Sequence, residues 1–304
     1  MTPNPNAPFY CSECSRAAGE QLFGTAPRAD VWIMLEYNGS WGAKAPDDSD
    51  LSPQIKTCIT HWLAAIPHTK FTFIRQRDDA RAPHPIRLYI ARVLEMTPEL
   101  YRLDLNSYDE LLTVDMAGLA LGAAEVAEHL TDETLFLVCV NGRRDVSCAK
   151  YGVPVLEAFR HQSGSSVWGT THIGGHRFAA TLVTLPDGVV YGYVDPADAS
   201  SLIADSRAGQ VRLDKLRGRS CYSDAAQAAD HYVRQARTIT DLPGLRLIGV
   251  ETIDAGTWRV RFEMLGSGLT TTVTVAHEMS TFDVYKDSAG TGEPVSQFRL
   301  VSIV

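Results

Sequence analysis

Leu135-Phe-Leu-Val-Cys139-Val-Asn-Gly-Arg-Arg-Asp-Val-Ser-Cys148-Ala-Lys-Tyr-Gly-Val-Pro-Val-Leu-Glu-Ala-Phe159 decides the fold. Leu135 to Val140 is a short, wholly apolar run, the mark of a strand covered on both faces. Asn141-Gly142 offers a tight turn with positive φ. Ala149 to Gln162 then places Val153, Val155, Leu156 and Phe159 on one side of a helix, with Cys148 just before it. Ser166 to Trp168 begins another strand. Phe178 to Leu185 and Val189 to Val194 form a hairpin around Pro186-Asp187-Gly188, since Asp-Gly is a strong turn signal. Asp195-Pro196 starts a helix running to about Ala204. A parallel βαβ followed by an antiparallel hairpin and a helix is a thioredoxin-like arrangement.

Upstream, the same order occurs once more. Val31 to Tyr37 is an apolar strand, and Asp50 to Ala65 carries Leu51, Ile55, Ile59, Trp62 and Leu63 at helical spacing. Ser52-Pro53 opens that helix as cap and first-turn proline. Lys70 to Arg75, Arg87 to Leu94 and Glu99 to Leu105 read as strands, and Ser107 to Val114 as a short closing helix. Met116 to Leu130 is expected to join the units as one helix. After Gly209 the pattern changes: Ser223 to Thr238 is amphipathic, and Leu245 to Ile253, Trp258 to Met264 and Leu269 to Val275 alternate as strands between Gly-rich turns. The expected fold is α/β (α+β): two tandem thioredoxin-like units with a C-terminal α+β extension. The expected division is a disordered lead at 1–8, a first unit at 9–130, a second unit at 131–208 and a tail at 209–304.

The chain has 304 residues, 45% hydrophobic and 21% charged, enough for more than one core. Its net charge of -8 argues against nucleic-acid binding, and no apolar run reaches transmembrane length. Met1 to Pro8 lacks the basic and apolar regions of a secretory signal. The six cysteines are therefore read as thiols or metal ligands of a cytoplasmic protein.

Four residues stand out as ligands: Cys139 and Cys148, then His172-Ile-Gly-Gly-His176. Thiolate with imidazole suits zinc, copper or an iron–sulfur cluster and excludes magnesium and calcium. Gly174 and Gly175 disfavour a helix between the histidines, and let the backbone approach a centre closely. No glutamate accompanies them, so this is not the zinc-protease H-E-x-x-H. Eight residues between the cysteines are wide for structural zinc, whereas a two-iron cluster tolerates such spacing. Two Cys and two His are also the ligand count of a Rieske centre, with different spacings. Arg143, Arg144 and Lys150 offer positive charge near the thiolates. Cys11-Ser-Glu-Cys14 follows no clear strand and is read as ordinary thiols, and Cys58 and Cys221 as structural. Asp47-Asp48 and Asp78-Asp79 read as solvated turns rather than facing glycosidase carboxylates. No dinucleotide, phosphate-loop or serine-hydrolase motif is present.

Cys139-x8-Cys148 with Gly142 and Arg144-Asp145, followed by His172-Ile-Gly-Gly-His176-Arg-Phe-Ala, resembles the sucrase/ferredoxin-like family, also called thioredoxin-like ferredoxins. The likeness covers roughly residues 9 to 205. It implies a [2Fe–2S] cluster on a thioredoxin-like domain, bound by Cys139, Cys148, His172 and His176. Asn141, Gly142, Arg144, Asp145, Gly174 and Gly175 would form the surrounding shell. Many relatives have His where Asn141 stands, and some have a second Cys where Ser147 stands; both positions could alter hydrogen bonds to the cluster. The implied function is one-electron transfer with a redox partner protein or reductase, by a carrier rather than an enzyme. A histidine whose outer nitrogen reaches solvent would couple that electron to a proton. A zinc-stabilised binding module and a thiol–disulfide oxidoreductase are the alternatives.

Overall fold

A computed structural model describes residues 9–76 and 85–304. The lead at Met1 to Pro8 and the turn at Asp78-Asp79 lie outside the described residues. The chain runs α1 (Cys11–Ala18), β1 (Val31–Glu36), α2 (Pro53–Ala65), β2 (Thr69–Arg75), β3 (Ile86–Arg92) and β4 (Glu99–Leu105). A 3-10 turn (Tyr108–Thr113), α3 (Met116–Leu121) and a second 3-10 turn (Ala124–His129) lead to the short strand β5 (Leu130–Thr131). Then follow β6 (Leu135–Cys139), α4 (Val146–Ser163), β7 (Val167–Thr170), β8 (Leu182–Leu185), β9 (Val189–Tyr191), α5 (Ala199–Arg207) and β10 (Leu216–Arg219). The tail comprises α6 (Asp224–Arg237), β11 (Leu245–Asp254), β12 (Thr257–Met264), β13 (Leu269–Tyr285) and β14 (Gly292–Ile303).

Ten strands form one sheet in the order β10-β9-β8-β6-β7-β2-β1-β3-β4-β5. Within it, β2-β1-β3-β4 and β7-β6-β8-β9 have the same plan. In each, the first two strands are parallel across a helix and the next two pair antiparallel. The two blocks meet where β2 pairs antiparallel with β7, Ile74 opposite Thr170. The two-fold repetition of apolar strand, helix and strand thus becomes one continuous sheet.

The period-2 geometry of a strand splits each apolar run between two cores. Val31, Ile33 and Leu35 pack with Ile55 and Ile59 of α2, whereas Trp32 and Met34 face the opposite core. Phe136 and Val138 pack with Val155, Leu156 and Phe159 of α4, whereas Leu135, Leu137 and Cys139 join Trp32 and Trp168. Cys139 is thus at the edge of the core opposite the helices. In the tail, α6 lies on a separate four-stranded sheet, its alanines packed on Val260, Phe262 and Val273.

Several expectations are corrected. The joining helix is broken: Asp115 caps α3 through the Gly118 N–H at 2.9 Å, and Gly122 ends it at φ 70°. Val153 is 45% exposed, facing away from the core. Helix α4 begins at Val146, so Cys148 lies inside its first turn rather than before it. The hairpin strands are shorter than expected, because His176–Phe178 forms a 3-10 turn. Leu216–Arg219, read with the tail, pairs with β9 in the large sheet. Strand β13 continues to Tyr285 and pairs with β14, an extension the alternating pattern did not announce.

Candidate metal centre

Cys139 is carried by the last residue of β6, and Cys148 by the first turn of α4. The loop between them closes through Asn141, whose carbonyl accepts from the N–H of Arg144 and Asp145 at 3.1 and 3.3 Å. Its side-chain amide donates to the Gly42 carbonyl at 3.1 Å. Gly142 does not take a positive φ; its need is space, since a Cβ there would sit 2.8 Å from that of Ala149. Asp145 caps α4, accepting from the Ser147 N–H at 2.8 Å. Gly152 lets the helix rest on the strand end: a Cβ there would lie 2.0 Å from the Cys139 carbonyl oxygen.

The histidines lie on the loop after β7. Gly174 and Gly175 adopt φ of 124° and 70°, which side-chain-bearing residues rarely enter. This reverses the chain between the two rings, whose centroids lie 5.1 Å apart, and sets His172 beside Cys139 and Cys148. Beneath the loop lies Arg217 of β10, which is 2% exposed. Its Nη1 donates to the Gly174 carbonyl at 2.8 Å, its Nε to the Thr25 hydroxyl at 3.0 Å and its Nη2 to the Thr25 carbonyl.

The ligand atoms of Cys139, Cys148 and His172 all lie within 4.8 Å of one another, with Cys148 Sγ 3.9 Å from His172 Nδ1. His176 stands at the side of this trio. Its ligating atom groups instead with Cys11 and Asp145, also within 4.8 Å. Its Nε2 donates to the Lys286 carbonyl and lies 4.0 Å from Asp145 Oδ2. Its Nδ1 is buried without a hydrogen-bond partner. A buried nitrogen with an unused lone pair carries a penalty that a bound metal would remove. Two sulfurs and two ring nitrogens on converging segments fit a soft-metal or iron–sulfur centre.

The electrostatics favour thiolate. A hydrogen bond from Cys148 holds the Cys139 thiol well below its ordinary value against the opposing effect of burial, helped by His172 and the Asn141 N–H. The same hydrogen bond and burial push Cys148 up, so one proton serves both sulfurs. Burial pulls His176 down, opposed by Asp145. For Asp145 burial acts upward, but hydrogen bonds from Ser288 and Ser147 outweigh it and hold the carboxyl below the usual range.

The expected flanking cations are placed differently. Arg143, Arg144 and Lys150 are exposed. Among the described residues, Arg217 and Lys70 are cations whose fields reach the Cys139 sulfur, neither evident from the motif. Lys70 is only half-buried as a residue, but its ammonium end lies inside, 5.9 Å from the Trp32 ring, and burial pulls it down to about 8. Two further parts went unread. Cys11, an ordinary thiol by its sequence context, is buried 3.7 Å from Asp145 Oδ1 and 3.4 Å from the Ser147 hydroxyl. The β13–β14 connection reaches the site, with the Ser288 N–H and hydroxyl each donating to Asp145 at 2.8 Å. All six cysteines are free thiols. Asp47 and Asp48 are exposed in a turn, and no described helix is long and apolar enough to cross a membrane.

The sucrase/ferredoxin-like family model matches residues 22–218, which include all four candidate ligands and Arg217. The chain belongs to this family. One relative is the altered inheritance of mitochondria protein 32 of Meyerozyma guilliermondii, 31% identical over 172 residues, 52% of this chain. The match spans 56% of that relative's length. Among solved structures, a thioredoxin-like [2Fe-2S] ferredoxin from Aquifex aeolicus is 23% identical over 28% of this chain and 91% of its own, with a TM-score of 0.26. A cysteine-to-serine variant of that ferredoxin matches over 27% of this chain and 96% of its own, at 23% identity and a TM-score of 0.25.

Proposed function

We propose that this member of the sucrase/ferredoxin-like family is a one-electron carrier holding a [2Fe–2S] cluster on Cys139, Cys148, His172 and His176. The observation that carries the proposal is the meeting of Cys139, Cys148 and His172 within 4.8 Å, beside the buried, unpartnered Nδ1 of His176. When bound, such a cluster supplies a one-electron couple, at a potential that imidazole ligation raises above that of four thiolates. The chain's own residues prepare the ligands. The Asn141 N–H donates to the Cys139 sulfur and stabilises its anion. The Lys286 carbonyl engages His176 Nε2, fixing the tautomer that leaves Nδ1 free to ligate. Arg217 fixes the glycine pair that carries both rings. Electrons come from and pass to a redox partner protein or reductase.

Anaerobically purified protein is expected to show the visible absorption of a [2Fe–2S] centre, two irons and two sulfides per chain, and a paramagnetic signal on one-electron reduction. Cys139→Ser is expected to abolish all three. His176→Cys is expected to retain a cluster with an altered spectrum at a lower potential. Colourless protein with one zinc per chain would refute the proposal, and an unaltered spectrum in His176→Cys would remove His176 from the ligand set.

A further inference from the structure

We infer that Arg217 is the charge that sets the potential of this centre. It rests on the cluster reading and concerns a residue outside the cysteine–histidine motif. Among the described residues, Arg217 makes no ion pair: it donates to the Gly174 carbonyl and to the hydroxyl and carbonyl of Thr25, and its guanidinium lies 4.9 Å from the Phe178 ring centroid. Glu20, the nearby acid, is hydrogen-bonded by Arg177 at 2.7 Å and by the Ser15 hydroxyl, and only its field reaches Arg217. A fully buried guanidinium without a carboxylate is costly, and such a charge persists where something else at the site uses it. What lies against it is the backbone between the two histidines. A Cβ on Gly175 would be 2.5 Å from its Nη2, so the loop and the guanidinium are fitted to each other. Its field also reaches the Cys139 sulfur. Burial pulls its pKa down to about 9, which leaves it charged at neutral pH.

Two ferric ions, two sulfides, two thiolates and two neutral imidazoles sum to zero, so one added electron makes the centre an anion. A fixed cation beside it favours the reduced form, and it acts through a dry interior that screens it weakly. Lys70 adds a second charge from β2. Arg217 differs because its position is fixed by three hydrogen bonds, so its field does not relax when the electron arrives.

The test is a spectroelectrochemical titration of the intact protein, with iron and sulfide content measured on each sample. Arg217→Gln removes the charge and keeps a hydrogen-bonding head. It is expected to lower the reduced-to-oxidised ratio at a fixed applied potential about tenfold, ~59 mV for one electron. Arg217→Lys keeps the charge and is expected to stay within about threefold of the parent protein, on the same scale. Should Arg217→Gln hold too little cluster to titrate, Arg217→Met takes its place. It removes the same charge while keeping a long side chain, and is expected to shift the ratio in the same direction. Full cluster content with an unchanged potential in Arg217→Gln, or in Arg217→Met as its replacement, would overturn the inference. So would equal shifts in Arg217→Gln and Arg217→Lys, which would show that shape rather than charge matters. Parent protein without iron would instead refute the cluster reading itself.

Discussion

Replacing Gly152 by Ala perturbs the centre without touching a ligand. Gly152 lies on α4 one turn beyond Cys148, where the helix crosses the end of β6. The added Cβ would fall 2.0 Å from the Cys139 carbonyl oxygen and 3.1 Å from its carbonyl carbon. Both are backbone atoms, so no side chain can swing aside, and the helix must retreat by about 1.5 Å to restore van der Waals contact. That helix carries Val155, Leu156 and Phe159, all buried, and they must retreat with it. Overpacking of this kind costs ~1–3 kcal/mol, and a backbone clash belongs at the upper end. Alanine returns ~1 kcal/mol through its better helix propensity. The balance is a loss of ~2 kcal/mol, with Cys148 moved away from Cys139. Denaturant unfolding of metal-free protein measures the first quantity and visible absorbance after reconstitution the second. Val153→Ala, one residue along on the exposed face, is the control and is expected to change stability by less than ~0.5 kcal/mol. Gly152→Ala protein as stable as its parent and fully reconstituted would refute the close-packing argument.

Asp145→Ala removes the α4 cap and leaves the Ser288 N–H unpaired, for a loss of ~2 kcal/mol in denaturant unfolding. The Asp145 carboxyl is held below its unfolded value, so its contribution is complete above about pH 4 and falls as pH drops through the folded value. The difference between parent and Asp145→Ala should therefore narrow in acid, and an acid-independent difference would contradict the cap. Glu36 has the opposite sign: burial raises it, so its ionisation opposes folding at neutral pH. Glu36→Gln keeps an acceptor for the Arg87 N–H and should raise the thermal midpoint at pH 7, with the gain shrinking toward pH 4. A lowered midpoint at pH 7 would count against this reading.

What the sequence showed best was local. The run Leu135 to Cys139, the Ser52 cap and the Asp-Gly turn follow from spacing alone, because each is settled within a few residues. The four candidate ligands were visible for the same reason. What escaped was held together at long range. Arg217 sits in a stretch with Arg212, Lys215 and Arg219, and so many cations read as a solvated loop. Yet Arg217 and Arg219 are both buried, in an edge strand recognisable only once β9 supplies its partner. The Ser288 connection is polar and lies 143 residues from Asp145, so nothing local marks it as part of the site. Asn141-Gly142 offers a tight turn with positive φ, but Gly142 does not use that freedom and is needed for its missing side chain against Ala149.

The two halves of the large sheet share a plan but not a chemistry, and the side chains at corresponding strand ends explain why. In both, a central strand runs out beside the start of a helix, β1 toward α2 and β6 toward α4. At the end of β6 the space holds two sulfurs and an imidazole. At the end of β1 it holds Tyr37, stacked on Phe73 at 4.5 Å, with its hydroxyl accepting from the Asp50 N–H and its carbonyl accepting from the Trp41 indole, both at 3.0 Å. Aromatic rings stand there in place of thiols and imidazole, and among the described residues no cluster of metal-ligating side chains lies at that end. Cys58, the one thiol on α2, is turned toward the Leu111 carbonyl at 3.8 Å. The first half instead serves the second across the β2–β7 seam, where β2 brings Lys70 to the field around Cys139. The tail serves it from the other side through Lys286 and Ser288. On the proposed reading, a repeated scaffold supports a single centre: one copy carries the candidate ligands, and the first half and the tail bring Lys70, Lys286 and Ser288 to its surroundings.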